Sequence, residues 1–165
     1  MLPAKKTHAT FLAEGFNRTD AKSDFRNENN FGEDLCRWLI QQFQRFPDLS
    51  VAASPEPEDW GWRMDVALAL DHGSIGIGAH AVMAGHGEID GRLCFWDPPK
   101  PKRALLPFRR QRFADFNHGI ENCTRAVLSK LQQILSKAPA VSRVHWHDED
   151  NFMAGNQEDW SPEPL

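Results

Sequence analysis

The sequence predicts a two-layer α+β fold, in which two amphipathic helices pack on one face of an antiparallel β-sheet with a central meander. Two observations predict it. Apolar residues alternate strictly over residues 60–70 and again over 75–83, which is the period of a half-buried strand. On both sides of this region, apolar residues recur every three or four positions, which is the period of a helix with one buried face.

The first part of the chain predicts a strand over residues 8–16, then the first helix over 30–46. Asn30 is a suitable N-cap, with Glu33 in the capping-box position. Pro47 ends the helix, because the residue before a proline is driven out of the α region. A short strand over residues 49–53 follows.

The alternating region predicts a hairpin. On its first strand the core face is expected to carry Trp60, Trp62, Met64, Val66, Leu68 and Leu70. If His72 and Gly73 are the two residues of a tight turn, Asp65 lies directly opposite His80 on the other face, with Arg63 two residues away. This register predicts a carboxylate and imidazole pair, which makes Asp65 and His80 the candidate catalytic residues.

The rest of the chain completes the sheet and adds the second helix. Asp90 and Gly91 favour a type I′ turn, after which residues 93–96 are expected to form the third strand of the meander. The second helix is expected to begin between residues 110 and 117 and to end near 136, and residues 141–147 predict the last strand. The expected order is therefore β-α-β-β-β-β-α-β.

The length of 165 residues fits a single domain, since one core typically organises about 100 to 200 residues. We expect a domain over residues 1–147 and an acidic C-terminal tail over 148–165. The three cysteines are far apart and form no C-x-x-C pair, so the sequence indicates neither a disulfide framework nor a structural zinc site. Without an apolar segment of signal-peptide or membrane-span type, we expect a cytoplasmic protein.

The net charge of −4 argues against a general nucleic-acid-binding protein, because such proteins usually have a basic balance. One segment, residues 98–112, is nonetheless basic and contains no acid. Its six cations are candidate phosphate contacts: Lys100, Lys102, Arg103, Arg109, Arg110 and Arg112. The acidic tail could neutralise them within the chain.

Two further groups of side chains are candidate ligand sites. Glu58, Asp59 and Trp60 set carboxylates beside an aromatic ring, as in sites for carbohydrates and cationic ligands, although the core also explains the tryptophan. His145 and His147 point the same way on a strand and are followed by acids, which suits zinc, iron or manganese. His86 and Glu88 are a second, weaker metal candidate. No cofactor is indicated.

Two short segments resemble segments of small uncharacterised bacterial proteins: FGEDL at residues 31–35 and EDWGW at residues 58–62. The resemblance implies a bacterial source and no activity.

We therefore expect a non-enzymatic binding module of regulatory or immunity type, whose partner is a protein, basic in character, or a second copy of the chain, and not a membrane. A first alternative is a small metal-dependent or acid/base enzyme that uses a His/Asp/Glu cluster on the sheet. A second is nucleic-acid binding through residues 98–112, masked by the acidic tail.

Overall fold

The computed structural model describes residues 6–13, 15–17, 23, 31–69, 74–82, 90–95, 110–154 and 160–164, with the backbone alone at 74, 78–82, 90–95 and 110–113. It confirms the α+β fold. The elements are β1 (His8–Ala13), α1 (Glu33–Phe43), β2 (Leu49–Val51), β3 (Glu56–Glu58), β4 (Gly61–Leu68), β5 (Ser74–Val82), β6 (Asp90–Phe95), α2 (Arg110–Lys137), β7 (Val141–His147) and α3 (Glu149–Met153).

The strands form one antiparallel sheet of seven strands in the order β2-β4-β5-β6-β1-β7, with β3 also paired to β4. The expected meander is β4-β5-β6. The first strand, β1, lies between β6 and β7, so the first and last strands in the sequence are neighbours at one end of the sheet. Of the described helices, none is long and apolar enough to cross a membrane, and a cytoplasmic location stays a prediction.

Both long helices pack on the sheet face that carries the apolar residues of the alternating strands. The core combines side chains from three elements, each no more than 2% exposed. The sheet contributes Phe11, Met64, Val66, Ile77 and Trp146, α1 contributes Leu35, Leu39 and Phe43, and α2 contributes Val127, Leu128 and Leu131. Full burial of an aliphatic or aromatic side chain stabilises a fold by about 1.5–3 kcal/mol. The two predicted helical stripes are thus the faces that hold the layers together.

The predicted register of the hairpin is wrong by four residues. In the ladder Asp65 pairs with Gly76, Arg63 with Gly78 and Ala67 with Ser74, so the connection between β4 and β5 is longer than a two-residue turn. The shift is an even number, and side chains alternate with a period of two. The faces were therefore predicted correctly although the partners were not: Met64 and Val66 are both buried.

The predicted turn at Asp90 and Gly91 is also wrong. Both residues lie inside β6, where Asp90 pairs with Val82 and Gly91 with Ala81. Cross-strand pairing therefore overrides the local preference of Asp-Gly for a turn.

Helix α1 begins three residues later than predicted. Its N-cap is Gly32 at φ 118°, with no side-chain cap, and only glycine adopts such a conformation without strain. Glu33 opens the helix and binds Arg37 one turn later at 2.7 Å between Oε1 and Nε. The carboxylate of Asp34 accepts the backbone N–H of Asn17, which ties the segment after β1 to the helix.

The segment after β7 contains structure that the sequence did not predict. Asp148 caps the short helix α3 by accepting the backbone N–H of Asn151 at 2.8 Å, and this hydrogen bond lowers the pKa of the Asp148 carboxyl. Further on, Ser161 forms an isolated antiparallel bridge with Trp146 of β7. The described part of the C-terminal segment is therefore attached to the domain.

Candidate functional site: a groove between the ends of the two long helices

A groove of about 430 Å³ lies where the C-terminal ends of α1 and α2 meet. Its lining is mainly aromatic and aliphatic, with a few amides and two cations: Phe16, Trp38, Gln42, Arg45, Phe46, Gln133, Ile134, Lys137, Ala138, Pro139 and Ala140. Most small-molecule and peptide sites are concave, mostly apolar and of this size. The groove is therefore the strongest candidate site in the described part of the chain.

Phe16 is brought to the groove by the turn after β1. Gly15 adopts φ 85°, a conformation that favours glycine, and the following Phe16 ring packs edge to face on Trp38, with 5.7 Å between centroids and 62° between planes. Neither ring is fully buried. The pair makes one wall of the groove and leaves part of its aromatic surface open to a ligand.

The end of α1 supplies the next wall. The last turn closes with the N–H of Arg45 bonded to Gln42 and that of Phe46 bonded to Phe43, and Pro47 prevents further helix. From α2, Lys130 holds this end in place: its Nζ lies 2.8 Å from an oxygen of Asp48 and 5.3 Å from the centre of the Phe46 ring. The hydrogen bond from Lys130 lowers the pKa of the Asp48 carboxyl.

The groove has a positive character. Arg45 and Lys137 are exposed, and within the described part of the chain neither has a carboxylate partner. Each helix C-terminus contributes roughly half a negative charge, so two helix ends offset only about one of the two cationic charges. The balance favours an anion.

The described residues that line the groove include no Asp, Glu, His, Ser or Cys. General acid–base catalysis and covalent catalysis need such side chains, with lysine the one exception present. The arrangement is suited to binding: the aromatic walls can contact an apolar group, and the two cations can bind a carboxylate at the edge of the groove.

The candidate catalytic residues Asp65 and His80 are not cross-strand partners. Asp65 faces Gly76, and His80 lies four residues further along β5, about 13 Å away at the usual rise of a strand. Asp65 instead accepts from Arg63, with 2.9 Å between Nη2 and Oδ1. The Arg63 guanidinium lies over Gly76, where an added Cβ would come within 3.1 Å of its Nε. The face of the hairpin that points away from the core therefore carries an Arg63–Asp65 ion pair.

Glu58, Asp59 and Trp60 form the corner between β3 and β4. Glu58 pairs with Gly61, so Asp59 and Trp60 are the two turn residues. Trp60, which was expected on the core face, is half-buried in this turn, whereas Trp62 is 3% exposed in the core. The EDWGW segment is thus explained by a tight hairpin.

The two histidines of β7 lie on the sheet face opposite the long helices. His147 is 1% exposed and its Nε2 lies 2.9 Å from the Thr10 hydroxyl, while His145 stacks on Trp160 with 3.9 Å between centroids. No group of three or more His, Cys, Asp or Glu that could hold a metal occurs among the described residues. His86 and Glu88 lie outside them.

The basic segment lies largely outside the described residues. This holds for Lys100, Lys102, Arg103 and Arg109, while Arg110 and Arg112 fall in the first turn of α2 with only their backbone described. Cys36 and Cys123 are buried thiols in the core. Burial raises the pKa of Cys36 to about 12, which makes a nucleophilic role for this thiol unfavourable.

Sequence reasoning missed the groove. Trp38 and Phe46 belong to the predicted apolar stripe of α1, and Phe16 lies at the end of the first predicted strand. Periodicity assigns such residues to the core without showing which are only half-covered. Arg45 beside Phe46, and Gly15 before Phe16, are the local signals of a surface site.

No protein-family model, curated protein or solved structure matches this chain. The resemblance of the FGEDL and EDWGW segments therefore stays a prediction.

Proposed function

We propose that the protein is a binding module that takes an apolar, acidic segment of a partner protein in the groove between α1 and α2. The observation that supports this proposal most is the lining itself: half-covered aromatic rings beside two exposed cations, with no acid among the described lining residues. An aromatic-lined groove with a basic rim suits a short segment that carries both an apolar side chain and a carboxylate.

The proposed partner segment is acidic, whereas the overall charge of the protein suggests a basic partner. A net charge of −4 favours a basic partner, but exposed charges act over about 10 Å at ordinary ionic strength. Arg45 and Lys137 lie at the groove itself, so they decide which segments fit there, whereas distant acids affect mainly the rate of encounter.

A charge-reversal experiment tests this function. Two peptide libraries of equal length would share a fixed aromatic residue, one with Asp and Glu and the other with Lys and Arg at the remaining polar positions. Wild-type protein should enrich the acidic library, and Trp38→Ala should lose that enrichment. The double variant Arg45→Glu/Lys137→Glu should prefer the basic library.

Arg125→Glu is the control, because it makes at one exposed position of α2 outside the groove the same reversal of charge that the double variant makes at each of two positions. It should leave the acidic preference intact. An unchanged preference in the double variant, or an equal effect of Arg125→Glu, would show that the overall charge and not the groove selects the peptide.

A further inference from the structure

A second surface lies at the edge of the sheet, where β7 is the outermost strand. Edge strands present unpaired backbone groups that another strand can bind. In the described part of the chain, the outer edge of β7 has one partner, the bridge from Ser161 to Trp146. We call residues 160–164 the strap.

The strap is held at few points. The Ser161 and Trp146 backbones exchange two hydrogen bonds of 2.9 Å each, and the carbonyl of Pro162 accepts from Nε2 of Gln132 at 3.0 Å. The Trp160 ring stacks on His145 but is still 43% exposed. The strap is therefore weakly attached, because it is held by one backbone bridge, one exposed side-chain hydrogen bond and one partly exposed ring stack.

The strap also fits its place loosely. A half-open pocket of about 260 Å³ lies between it and α2, lined by Leu128, Gln132 and Glu163 among others. A segment with a bulkier apolar residue at the position of Glu163 would fill more of this pocket, and would therefore make more van der Waals contact than the strap does.

The composition of the strap limits further strand pairing. Pro162 and Pro164 have no backbone N–H to donate to another strand. The bridge at Ser161 is isolated, and residues 162 and 163 form bends after it. The strap therefore ends the sheet and does not extend it, which is how natural edges avoid uncontrolled association.

We propose that the edge of β7 is a strand-addition site that the strap occupies, and that an extended segment of a partner protein displaces it. The partner segment has an aromatic residue that stacks on His145, then a small polar residue that pairs with Trp146, and a bulky apolar residue two positions later. This site is separate from the groove and does not depend on the function proposed for it.

The test uses the full-length chain and two substitutions at one position. Ser161→Pro removes the backbone N–H that donates to the carbonyl of Trp146, and so opens the bridge. Ser161→Ala keeps both backbone hydrogen bonds. The probe is a fluorescein-labelled peptide, QEDWSPLPL, which is the sequence of residues 157–165 with leucine in place of Glu163. Binding is measured by fluorescence anisotropy.

Ser161→Pro should bind the probe at least tenfold more tightly than the wild type and Ser161→Ala, because the intramolecular strap competes at an effective concentration near the millimolar range. A probe with alanine in place of its tryptophan should bind at least tenfold more weakly. Equal affinity for the wild type and Ser161→Pro, or no binding to either, overturns the proposal. So does Ser161→Pro protein that dimerises and ignores the probe, since the edge would then take a second copy of the chain.

Hydrogen exchange of the wild type gives an independent reading. The amide of Trp146 should exchange by local opening of the strap, with a free energy of opening well below that of the Met64 amide in the interior strand β4. If both amides exchange only through global unfolding, the strap is a fixed part of the core and the proposal is wrong. Trp38→Ala should leave probe binding unchanged, which separates this site from the groove.

Discussion

Among the polar side chains described on the surface of α2, that of Gln132 should be the most sensitive to substitution, because its amide joins three elements. Its Oε1 accepts the indole N–H of Trp146 at 2.6 Å, and its Nε2 donates to the carbonyl of Pro162 at 3.0 Å. Trp146 is 0% exposed. The substitution Gln132→Ala therefore removes a hydrogen bond from a donor that water does not reach.

The magnitude follows from the two bonds. A buried donor that loses its acceptor typically destabilises a fold by about 1–3 kcal/mol, whereas an exposed hydrogen bond contributes about 1 kcal/mol or less. We expect Gln132→Ala to lower the free energy of unfolding by about 2 kcal/mol. Gln133→Ala, next in sequence and exposed, should change it by less than about 0.5 kcal/mol.

Urea unfolding followed by circular dichroism at 222 nm measures these values without depending on tryptophan emission. A double-mutant cycle isolates the bond itself: Gln132→Leu combined with Trp146→Phe should be less destabilised than the sum of the single variants by about 1–2 kcal/mol. Strict additivity, or a Gln132→Ala variant as stable as Gln133→Ala, would refute the role assigned to this amide.

Three other outcomes are expected. Arg143 adopts φ 51° at a bulge in β7. Arg143→Gly should therefore leave the free energy of unfolding, measured with urea, unchanged or raise it by up to about 1 kcal/mol, whereas Ser142→Gly should lower it by about 0.5–1 kcal/mol. Equal losses in the two variants would contradict this. The hydrogen bond from Lys130 lowers the pKa of Asp48 in the folded state. The contribution of this carboxylate to stability is therefore present above the unfolded pKa near 3.9 and is lost as the pH falls through the folded pKa. Asp48→Asn should lose less stability than the wild type between pH 5 and pH 2.5, and parallel curves of stability against pH would rule this out. With a pKa of about 12 and no exposure, Cys36 should react with iodoacetamide at pH 8 only after unfolding. Rapid labelling of the native chain that peptide mass mapping locates at Cys36 would show that its burial is wrong.

The faces of the elements could be predicted from the sequence, but several of their partners could not. Alternation identifies which residues of β4 point to the core, and a shift of four residues leaves that assignment unchanged. Alternation does not report the length of the loop between two strands. The loop between β4 and β5 is longer than two residues, and it therefore places Gly76, and not His80, opposite Asp65. Local turn preferences were likewise overruled at Asp90 and Gly91, which lie inside a ladder.

The groove could not be predicted for a different reason. Phe16 and Trp38 are far apart in sequence and meet only because β1 lies in the sheet beneath the helices. A helical stripe marks a residue as apolar on one face, but the degree of cover depends on neighbours from other elements. The same applies to the strap, because a composition rich in acid and proline does not indicate the single bridge that Ser161 forms with β7.

The most direct test of the binding function is an NMR titration of isotope-labelled protein with the tightest peptide from the acidic library. The indole N–H of Trp38 and the methyl groups of Ile134 lie in the groove, whereas the indole of Trp160 lies at the strap. We predict saturable shifts at Trp38 and Ile134, none at Trp160, and loss of the shifts in the Arg45→Glu/Lys137→Glu variant. Shifts confined to Trp160 and β7, with Trp38 unmoved, would contradict a binding site in the groove.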